Sequence, residues 1–473
     1  MDASMTQELT FLLPELFLAG AAVFGLLLGS YLPRQWQWLV RALAAAACAG
    51  GLAATVANWS RPGMTVFEGT YSIDVATNAV RAMVLVSVLL VLGLAAADIR
   101  GDRREAEFVV LLLLGALGAV LLAGANDLLL LAAAYLLASV PLYALTAFAK
   151  DSPGTEASMK YYLMGALVGV TMLFGLMTLF GVARSTAYPQ LSESLPSAAG
   201  GAVAVGALLL LAGPLFKAGA VPVHFWVPDV TEGSRPPVAA LITTIPKIGA
   251  VVAIYRFVSA ALAPTALDWG LLIAVLAALT MTLGNLAAFF QDNVRRLLAY
   301  STISQVGYLL MAVAAAGSAP LALPSLLLYL AAYAVTNLGA FAVVCALPRA
   351  ATIVDYRGLL RRHPWLALSL VVCLLGLVGT PPTGVFAGKL TVFTAAFDAG
   401  FGWLVVLAIV NTVASLFYYL RWIAPTTRSE PGTFEQVNRW PAVTAYIAAP
   451  VSLAIGPLAG LILTAFEGNL ILS

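Results

Sequence analysis

Charged residues are scarce in this chain. Only 10% of its 473 residues are Asp, Glu, Lys or Arg, whereas 62% are hydrophobic, and the mean hydropathy is +0.96. Soluble domains contain about 25% charged residues, and so few charges cannot cover a surface exposed to water. The composition therefore excludes a soluble enzyme, a nucleic-acid-binding protein and a secreted scaffold. It predicts an all-α polytopic membrane protein.

Residues that bind redox cofactors and metals are also scarce. The three cysteines (Cys48, Cys345 and Cys373) lie in apolar runs without CxxC spacing, so neither a disulfide framework nor a thiolate metal or iron–sulfur site is expected. The sequence has no Gly-rich dinucleotide fingerprint and no haem-type histidine pair. We therefore expect this chain to bind no metal and no redox cofactor. The opening MDASMTQE is acidic, and so the first apolar run is expected to be a retained span.

Long apolar runs are abundant. A helix needs about 20 apolar residues to cross a hydrocarbon core of about 30 Å. The sequence predicts a single integral membrane domain (1–473) composed of helices one to three (1–98), a first five-helix unit (106–262), a second (269–424) and a last helix (442–465). The fourteen predicted spans are 9–32, 38–58, 76–97, 106–124, 127–148, 157–182, 200–221, 237–262, 269–290, 298–316, 323–347, 365–390, 402–424 and 442–465.

The cationic residues predict the orientation of these spans. If the N-terminus lies outside and the spans alternate, the inside loops collect 17 of the 24 Lys and Arg residues. The outside loops then hold only Arg61 and Arg184. The positive-inside rule requires such an asymmetry. We therefore expect a multi-pass protein of the bacterial inner (plasma) membrane with both termini on the periplasmic side.

Five cations remain inside the spans: Arg81, Lys217, Lys247, Arg256 and Lys389. Lys247 is ten residues into its span, which places it roughly 15 Å deep, near the midplane. A central Lys or Arg costs at least about 2.5–3.5 kcal/mol on insertion scales, and such residues usually mark ion or proton pathways. The alternative is a structural cation bonded to backbone carbonyls. For the two arginines, which lie nearer span ends, both interpretations have equal weight.

Two of the lysines lie in interrupted spans. One reads GPLFKAGAVPVHFW (213–226) and the other GTPPTGVFAGKL (379–390). Proline breaks a helix, and broken helices at membrane depth are tolerated where they line a cavity or are buried in protein. Interrupted spans in corresponding positions indicate inverted repeats, here spans four to eight and nine to thirteen. The alternative is that the prolines only kink their helices.

A buried lysine suits proton transfer, because burial disfavours its charged form and lets the amine take up and release a proton. His224 titrates near neutrality and is a candidate relay, although a neutral structural histidine is an equally good interpretation. Buried hydroxyl and amide side chains are further candidates, although interhelical hydrogen bonding explains each of them as well. They are Asn285, Ser301, Thr302, Ser304, Gln305, Tyr308, Asn337 and Asn411.

Several motifs resemble the antiporter-like membrane subunits of respiratory complex I, the bacterial NADH:quinone oxidoreductase. They are LLPELFL (12–18), VPVHFWVPDVTEG (221–233), PPVAALITTIPK (236–247), RRLLAYSTISQVGYLL (295–310) and FYYLRW (417–422). LLPEL, the PK pair and YYLR are typical of its subunit N branch. The resemblance implies a fourteen-helix fold with two inverted five-helix repeats and discontinuous helices seven and twelve. It also implies that Lys217 and Lys247 form an inner proton relay, with Lys389 as the terminal exchange site.

The resemblance also implies partners. NADH or another electron donor, FMN, iron–sulfur clusters and quinone would bind other subunits, so that this chain would be a non-redox part of the translocase. It would contact other membrane-arm subunits and lipids. A related cation/proton antiporter or membrane-bound hydrogenase subunit is an alternative.

Two positions depart from the family pattern. The family places a glutamate in helix five, five residues before a proline, and counting back from Pro141 gives Leu136. The neighbouring Tyr135 is no substitute, because a phenol titrates near pH 10, about three units above neutrality. The helix-ten position that is often histidine is Gln305. These departures favour a third hypothesis, a structural spacer that has lost pumping, whereas the three retained lysines oppose it.

Overall fold

The computed structural model describes residues 8–428 and 437–471. Most of them are helical. The helices of the first half are α1 (Leu13–Tyr31), α2 (Trp38–Ala57), α3 (Val75–Ile99), α4 (Glu105–Gly124), α5 (Leu128–Leu137), α6 (Val140–Thr146), α7 (Ser152–Ala183), α8 (Tyr188–Ser194), α9 (Gly200–Ala218), α10 (Trp226–Gly233) and α11 (Pro236–Phe257). Those of the second half are α12 (Trp269–Ala288), α13 (Val294–Ala314), α14 (Ala322–Ala346), α15 (Leu359–Arg362), α16 (Pro364–Val378), α17 (Gly384–Asp398), α18 (Gly402–Thr426), α19 (Arg439–Ile455) and α20 (Ala459–Ala465).

The lengths of these helices fit a membrane-spanning bundle. Within the described residues, 12 spans are long and apolar enough to cross a membrane, or 13 if α19 and α20, which meet at a bend of 82°, are one span. The shorter apolar helix α16 adds a half-span before α17. A polytopic all-α architecture is therefore confirmed. The count of fourteen stays a prediction, since it requires the broken pair α16–α17 to be counted as one span.

Side-chain caps explain where several spans begin. The carboxylate of Asp127 accepts from the backbone N–H groups of Leu129 and Leu130 at the start of α5. Asn293 does the same at α13, where its side-chain amide oxygen accepts from the backbone N–H groups of Arg295 and Arg296. Such caps satisfy N–H groups that have no partner within the helix. They are needed here because a backbone donor without a partner is costly next to hydrocarbon.

The two interrupted spans break in the same way. In each, a glycine in the left-handed region ends the first half-helix: Gly219 (φ 81°) after α9 and Gly379 (φ 88°) after α16. The residue after each glycine donates its N–H back across the last turn, to Leu215 and Leu375 respectively. This six-to-one bond is a Schellman ending. A cis peptide bond to proline follows in both breaks.

A third break was not predicted. The span expected at 127–148 consists of two short helices, α5 and α6, on either side of Ala138 and Ser139. Pro141 has no N–H to donate, and the N–H of Leu142 bonds to the carbonyl of Ser139. The carbonyl of Ala138 is thereby available to a side chain from another helix.

The centre of the bundle consists of α11, α13 and α14. The most apolar stretch of α11 is entirely buried, and those of α13 and α14 are almost entirely buried. In the polypeptide before α3, a small hairpin departs from the all-helical expectation, because β1 (Met64–Val66) pairs with β2 (Tyr71–Ile73). The hairpin lies outside the spans and turns through residues with positive φ, among them Gly69.

Candidate functional site

Lys217 lies in the last turn of α9 and is fully buried. Its Nζ donates to the carbonyl of Ala138 over 3.0 Å and lies 3.4 Å from the hydroxyl of Tyr161. Three rings surround the ammonium, with Nζ 5.6 Å from the ring centre of Tyr135, 5.9 Å from that of Tyr143 and 5.5 Å from that of Tyr161. The break between α5 and α6 thus supplies a carbonyl, and tyrosines supply cation–π contacts.

The helix-five side of this site differs from the expectation. Tyr135, at 1% exposure, faces Lys217, whereas the side chain of Leu136 is 53% exposed and points away from the site. The Tyr135 hydroxyl donates to the carbonyl of Gly165 in α7 over 3.0 Å. A carboxylate at position 136 would therefore lie on the outer surface of this chain rather than beside Lys217.

Lys247 is fully buried in the middle of α11. Its Nζ has no hydrogen-bond partner among the described residues. It lies 4.8 Å from the ring centre of Trp226, the first residue of α10. A Cβ built on Gly219 would stand 3.8 Å from Nζ. The ammonium is therefore aimed at the break between α9 and α10.

A stacked aromatic pair separates the first two lysines. The rings of Tyr161 and Trp226 are parallel within 12°, with centres 4.2 Å apart. Lys217 contacts the tyrosine of this pair and Lys247 contacts the tryptophan. The indole N–H donates to the carbonyl of Phe216 over 3.1 Å, which fixes the ring in place.

Lys389 occupies the second broken span. It lies in α17, and its Nζ donates to the carbonyl of Val378, the last residue of α16, over 2.9 Å. The hydroxyl of Thr412 is 3.3 Å from Nζ. The ring centre of Tyr308 is 4.0 Å from the same atom. Lys217 and Lys389 thus share a mode of binding, because each is held by a backbone carbonyl at a helix break and by an aromatic face.

Polar side chains occupy the interior between Lys247 and Lys389. One turn before Lys247, the carbonyl of Thr243 accepts from the Tyr333 hydroxyl over 2.8 Å, and the same hydroxyl is 3.0 Å from the Thr302 hydroxyl. One turn further along α13, Gln305 accepts from the Tyr329 hydroxyl over 2.5 Å.

Gln305 connects this group to the second break. Its amide nitrogen donates to the carbonyl of Leu377 over 2.7 Å, next to the Val378 carbonyl that holds Lys389. Gln305 occupies the helix-ten position that is often histidine in the family. In the structure, it bonds at once to a hydroxyl and to the end of α16, and the side chain is 1% exposed.

A second polar group extends from Lys389 towards α12. Asn285 donates to the side chain of Asn411 over 3.0 Å and accepts from Ser304 and Tyr418 over 3.1 and 3.0 Å. Ser301 bonds to the Tyr419 hydroxyl, and Asn337 donates to the hydroxyls of two threonines of α11. Every polar relay candidate from the sequence is therefore buried and lies in α12, α13, α14 or α18. The candidates are Asn285, Ser301, Thr302, Ser304, Gln305, Tyr308, Asn337 and Asn411.

His224 lies in the first break, two residues before α10, and is 5% exposed. Its ring packs on Phe225, and Nδ1 has no hydrogen-bond partner among the described residues. Within the same residues, no hydrogen bond joins it to any of the three lysines. Its place in a relay therefore stays a prediction.

The two buried arginines are bound quite differently from the lysines. Arg81 makes two bonds to Glu15 in α1, of 2.7 and 2.8 Å. Arg256 contacts Asp74 over 2.8 and 2.9 Å. In contrast, within the described residues no carboxylate oxygen lies within 4.0 Å of the Nζ of Lys217, Lys247 or Lys389. Both arginines thus have a structural role, because a guanidinium does not lose its proton and needs a counter-charge.

Several residues of the candidate site were missed at the level of sequence. Tyr161, Trp226, Tyr329 and Tyr333 all contact a lysine or a relay side chain. The two tyrosines of α14 are four residues apart and share one helix face, which is a weak signal in a helix that is otherwise apolar.

Two comparisons with known proteins define the class. Residues 125–415 match the family model described as NADH:quinone oxidoreductase/Mrp antiporter, TM. The matched region begins just before α5, ends within α18 and contains all three lysines. A subunit of the Mrp complex from Dietzia sp. has a TM-score of 0.84 at 22% identity over 97% of this chain and 96% of that one, which shows the same fold. Fold and site thus define an antiporter-like transmembrane protein.

More similar relatives define the branch. NADH-quinone oxidoreductase subunit N 1 of Streptomyces griseus is 54% identical over 99% of this chain and 100% of its own length. A chain of respiratory complex I from Thermus thermophilus, solved with bound aureothin, is 33% identical, has a TM-score of 0.84 and is matched over its whole length by 96% of this chain. The chain therefore belongs to the NADH-quinone oxidoreductase subunit N family. This confirms the resemblance found in the sequence.

Proposed function

We propose that the chain is a non-redox, proton-translocating membrane-arm subunit of a complex I-type NADH:quinone oxidoreductase, and that Lys217, Lys247 and Lys389 carry the protons. The observation that supports this most directly is the set of three buried ammonium groups, each at or facing a helix break and none beside a carboxylate of the described residues. A lysine in such an environment can lose its proton at low cost, because its departure leaves no buried anion unpaired.

The order of the lysines along the bundle suggests their roles. Lys217 and Lys247 meet across the stack of Tyr161 and Trp226 and would act as the inner pair. Lys389 lies beyond the hydroxyl and amide groups of α13 and α14 and would exchange protons with one membrane face. His224, in the first break, would serve as an additional relay.

We further propose that α4–α11 and α12–α18 are two repeats of one five-helix unit. The connections into their second helices bond alike. The N–H of Leu128 donates to the carbonyl of Thr186, and the N–H of Val294 donates to that of Ala351. The bridges Asp127–Ala187 and Asn293–Thr352 match as well. Together with the Schellman endings at the two breaks, these bonds support the repeat boundaries 106–262 and 269–424, with 1–98 and 442–465 outside them.

Aligning the repeats on these bonds shows what the second unit changes. Aligning Asp127 with Asn293 places Gln305 opposite Ser139, the residue after Ala138. Aligning the two glycines places Leu377 opposite Lys217. In the first repeat, Lys217 donates to the Ala138 carbonyl. In the second, Gln305 donates to the Leu377 carbonyl. Neighbouring positions on the same two helices thus touch in both repeats, but the donor has moved to the other helix.

Electron transfer would take place in partner subunits. NADH or another donor, FMN, iron–sulfur clusters and quinone would bind to those subunits. This chain would contact other membrane-arm subunits and lipids. The location would be the bacterial plasma membrane with both termini on the periplasmic side. The arginine-rich loops, with Arg100, Arg103 and Arg104 after α3 among them, support this orientation.

A structural spacer is the second candidate, and one observation favours it. Tyr135 and the Ala138 carbonyl, and not a carboxylate, face Lys217. An antiporter or hydrogenase subunit has less support, since the Mrp subunit is only 22% identical, whereas the subunit N of Streptomyces griseus is 54% identical.

Substituting Lys247 by methionine tests the proposal. Methionine keeps most of the bulk of the side chain and removes the amine, which has no hydrogen-bond partner to lose among the residues that the structure describes. In inverted membrane vesicles, Lys247→Met should assemble, oxidise NADH and move fewer protons per electron. Lys150→Met is the matched control, because this lysine is exposed in the loop after α6. Assembly is scored on native gels.

The outcomes separate the candidates. A lower proton yield per electron with normal assembly supports a proton path through Lys247. If Lys247→Met and Lys150→Met both keep the wild-type yield, the relay is refuted and the chain is a spacer.

A further inference from the structure

A cleft lies on the arginine-rich face of the bundle, remote from the three lysines. It has a volume of about 740 Å³ and opens between the start of α2, the end of α3 and the start of α19. Its rim contains Arg34, Arg41 and Arg100. Arg34 precedes α2, Arg41 lies in its first turn and Arg100 follows α3, all on the side that collects most of the cations of the chain.

Two of these arginines have no counter-charge among the residues that the structure describes. The guanidinium of Arg41 already has partners, since it contacts Glu105 over 3.5 Å and donates to the carbonyl of Ala96 over 3.2 Å. Arg34 and Arg100 are exposed and make no ion pair or side-chain hydrogen bond with any residue that the structure describes. The cleft therefore carries three guanidinium groups and one carboxylate, which leaves an excess of positive charge for a ligand to neutralise.

Below this rim the lining is apolar. Leu89 and Leu92 of α3 and Ala45 of α2 form the floor, which faces the hydrocarbon depth of these spans. Trp38 and Trp440 flank the opening and are 45% and 59% exposed. Tryptophan is enriched at the level of lipid headgroups. The cleft thus changes from cationic to apolar along the membrane normal.

We propose that this cleft binds one anionic phospholipid, whose phosphate lies between Arg34 and Arg100 and whose acyl chains run along α2 and α3. Guanidinium groups bind phosphate oxygens in bidentate geometry, and basic pockets between helices on this face select anionic headgroups. A soluble anion would use the rim but gain nothing from the apolar floor. A zwitterionic lipid would use the floor but not neutralise the rim. The inference does not depend on proton transfer.

Lipid rebinding to the purified complex tests this site. The detergent-washed complex is incubated with radiolabelled phosphatidylglycerol, and label retained per complex is counted after gel filtration. Arg34→Gln/Arg100→Gln should retain about one lipid fewer than wild type and should need roughly 30-fold more lipid to refill the site, about fivefold for each basic residue. Arg361→Gln/Arg362→Gln, in the exposed helix α15 on the same face, is the matched control and should retain the wild-type amount.

Two further arms identify the ligand. Labelled phosphatidylcholine should show no difference between wild type and Arg34→Gln/Arg100→Gln, and millimolar inorganic phosphate should not displace phosphatidylglycerol. Ala45→Phe fills the floor, keeps both guanidinium groups and should also lose about one lipid, which provides a test if the arginine variant fails to assemble. Equal retention by wild type and both cleft variants overturns the proposal. The proposal is also overturned if Arg34→Gln/Arg100→Gln loses as much phosphatidylcholine as phosphatidylglycerol. Displacement of phosphatidylglycerol by phosphate overturns it too, since that would indicate a site for a soluble anion.

Discussion

Arg256→Met should destabilise this protein strongly. The guanidinium is fully buried where α11 meets the start of α3. Nη1 lies 2.8 Å from one oxygen of Asp74 and Nη2 2.9 Å from the other, while Nε donates to the carbonyl of Ala123 over 2.9 Å. Methionine would fill most of the volume but leave the Asp74 carboxylate, which is 3% exposed, without its cation.

The magnitude follows from the burial of the anion. Breaking a buried pair by removing one partner costs about 3–5 kcal/mol, or roughly two to four orders of magnitude in a folding equilibrium. The lower half of this range is expected, because two backbone N–H groups, of Thr77 and Ile471, still bond to Asp74. Even about 3 kcal/mol is a large fraction of the roughly 5–15 kcal/mol that stabilises a typical domain.

The assay is the amount of assembled complex on native gels after a series of heating steps. Arg256→Met should lower the midpoint by many degrees, whereas Arg361→Met, an exposed arginine of α15, should not change it. Asp74→Asn/Arg256→Met removes the unpaired charge and should recover part of the loss. If Arg256→Met is as heat-stable as wild type, or the double variant is no better than the single one, the pair does not have the structural role assigned to it.

Three further predictions concern the same elements. Tyr161→Phe removes the hydroxyl 3.4 Å from Lys217 but keeps the stacked ring. Assembly should therefore be normal, and protons per electron should fall by less than in Lys217→Met. An equal fall would contradict the role given to the Lys217 amine. Gly379→Ala puts a side chain at φ 88° with its Cβ 2.9 Å from Cδ of Lys389. This should cost at least about 1–2 kcal/mol of stability and lower the proton yield in vesicles. An unchanged yield would show that Lys389 tolerates displacement. Burial alone would raise the pKa of Asp74, but Arg256 and the backbone N–H groups outweigh burial and hold this pKa below its usual range. The stabilisation by the charged carboxylate is therefore complete above about pH 4 and is lost as the pH falls further. If Asp74→Asn is as heat-stable as wild type at pH 7, this prediction is refuted.

The sequence alone was enough to predict the elements that carry the lysines. The spacing of apolar runs and the proline pairs predicted the spans and both interruptions, since helix breaking by proline is local chemistry. Lys217, Lys247 and Lys389 stood out because a cation in an apolar run is costly. All three prove to be buried.

The partners of these groups were beyond the reach of a single sequence. Lys217 bonds to a backbone carbonyl 79 residues away, which any residue type at position 138 could supply. The break between α5 and α6 that frees this carbonyl was missed, because Pro141 by itself is compatible with the first turn of a helix. Glu15 and Asp74 lie near the ends of their spans. Only a contact between α1 and α3 brings Glu15 to Arg81, and only the packing of α3 against α11 brings Asp74 to Arg256.

The contrast between lysines and arginines bears on how the proposed relay would release protons. A carboxylate beside a lysine stabilises the ammonium but is left buried and unpaired when the proton departs, which resists release. A carbonyl and an aromatic face, as found at Lys217 and Lys389, lose only an attraction when the proton leaves. In the proposed relay, proton release from Lys217 or Lys389 would therefore leave no buried anion behind. In that relay, like charge would couple the two inner lysines, because Lys217 and Lys247 contact opposite members of the Tyr161–Trp226 stack, and a proton on one amine disfavours a proton on the other.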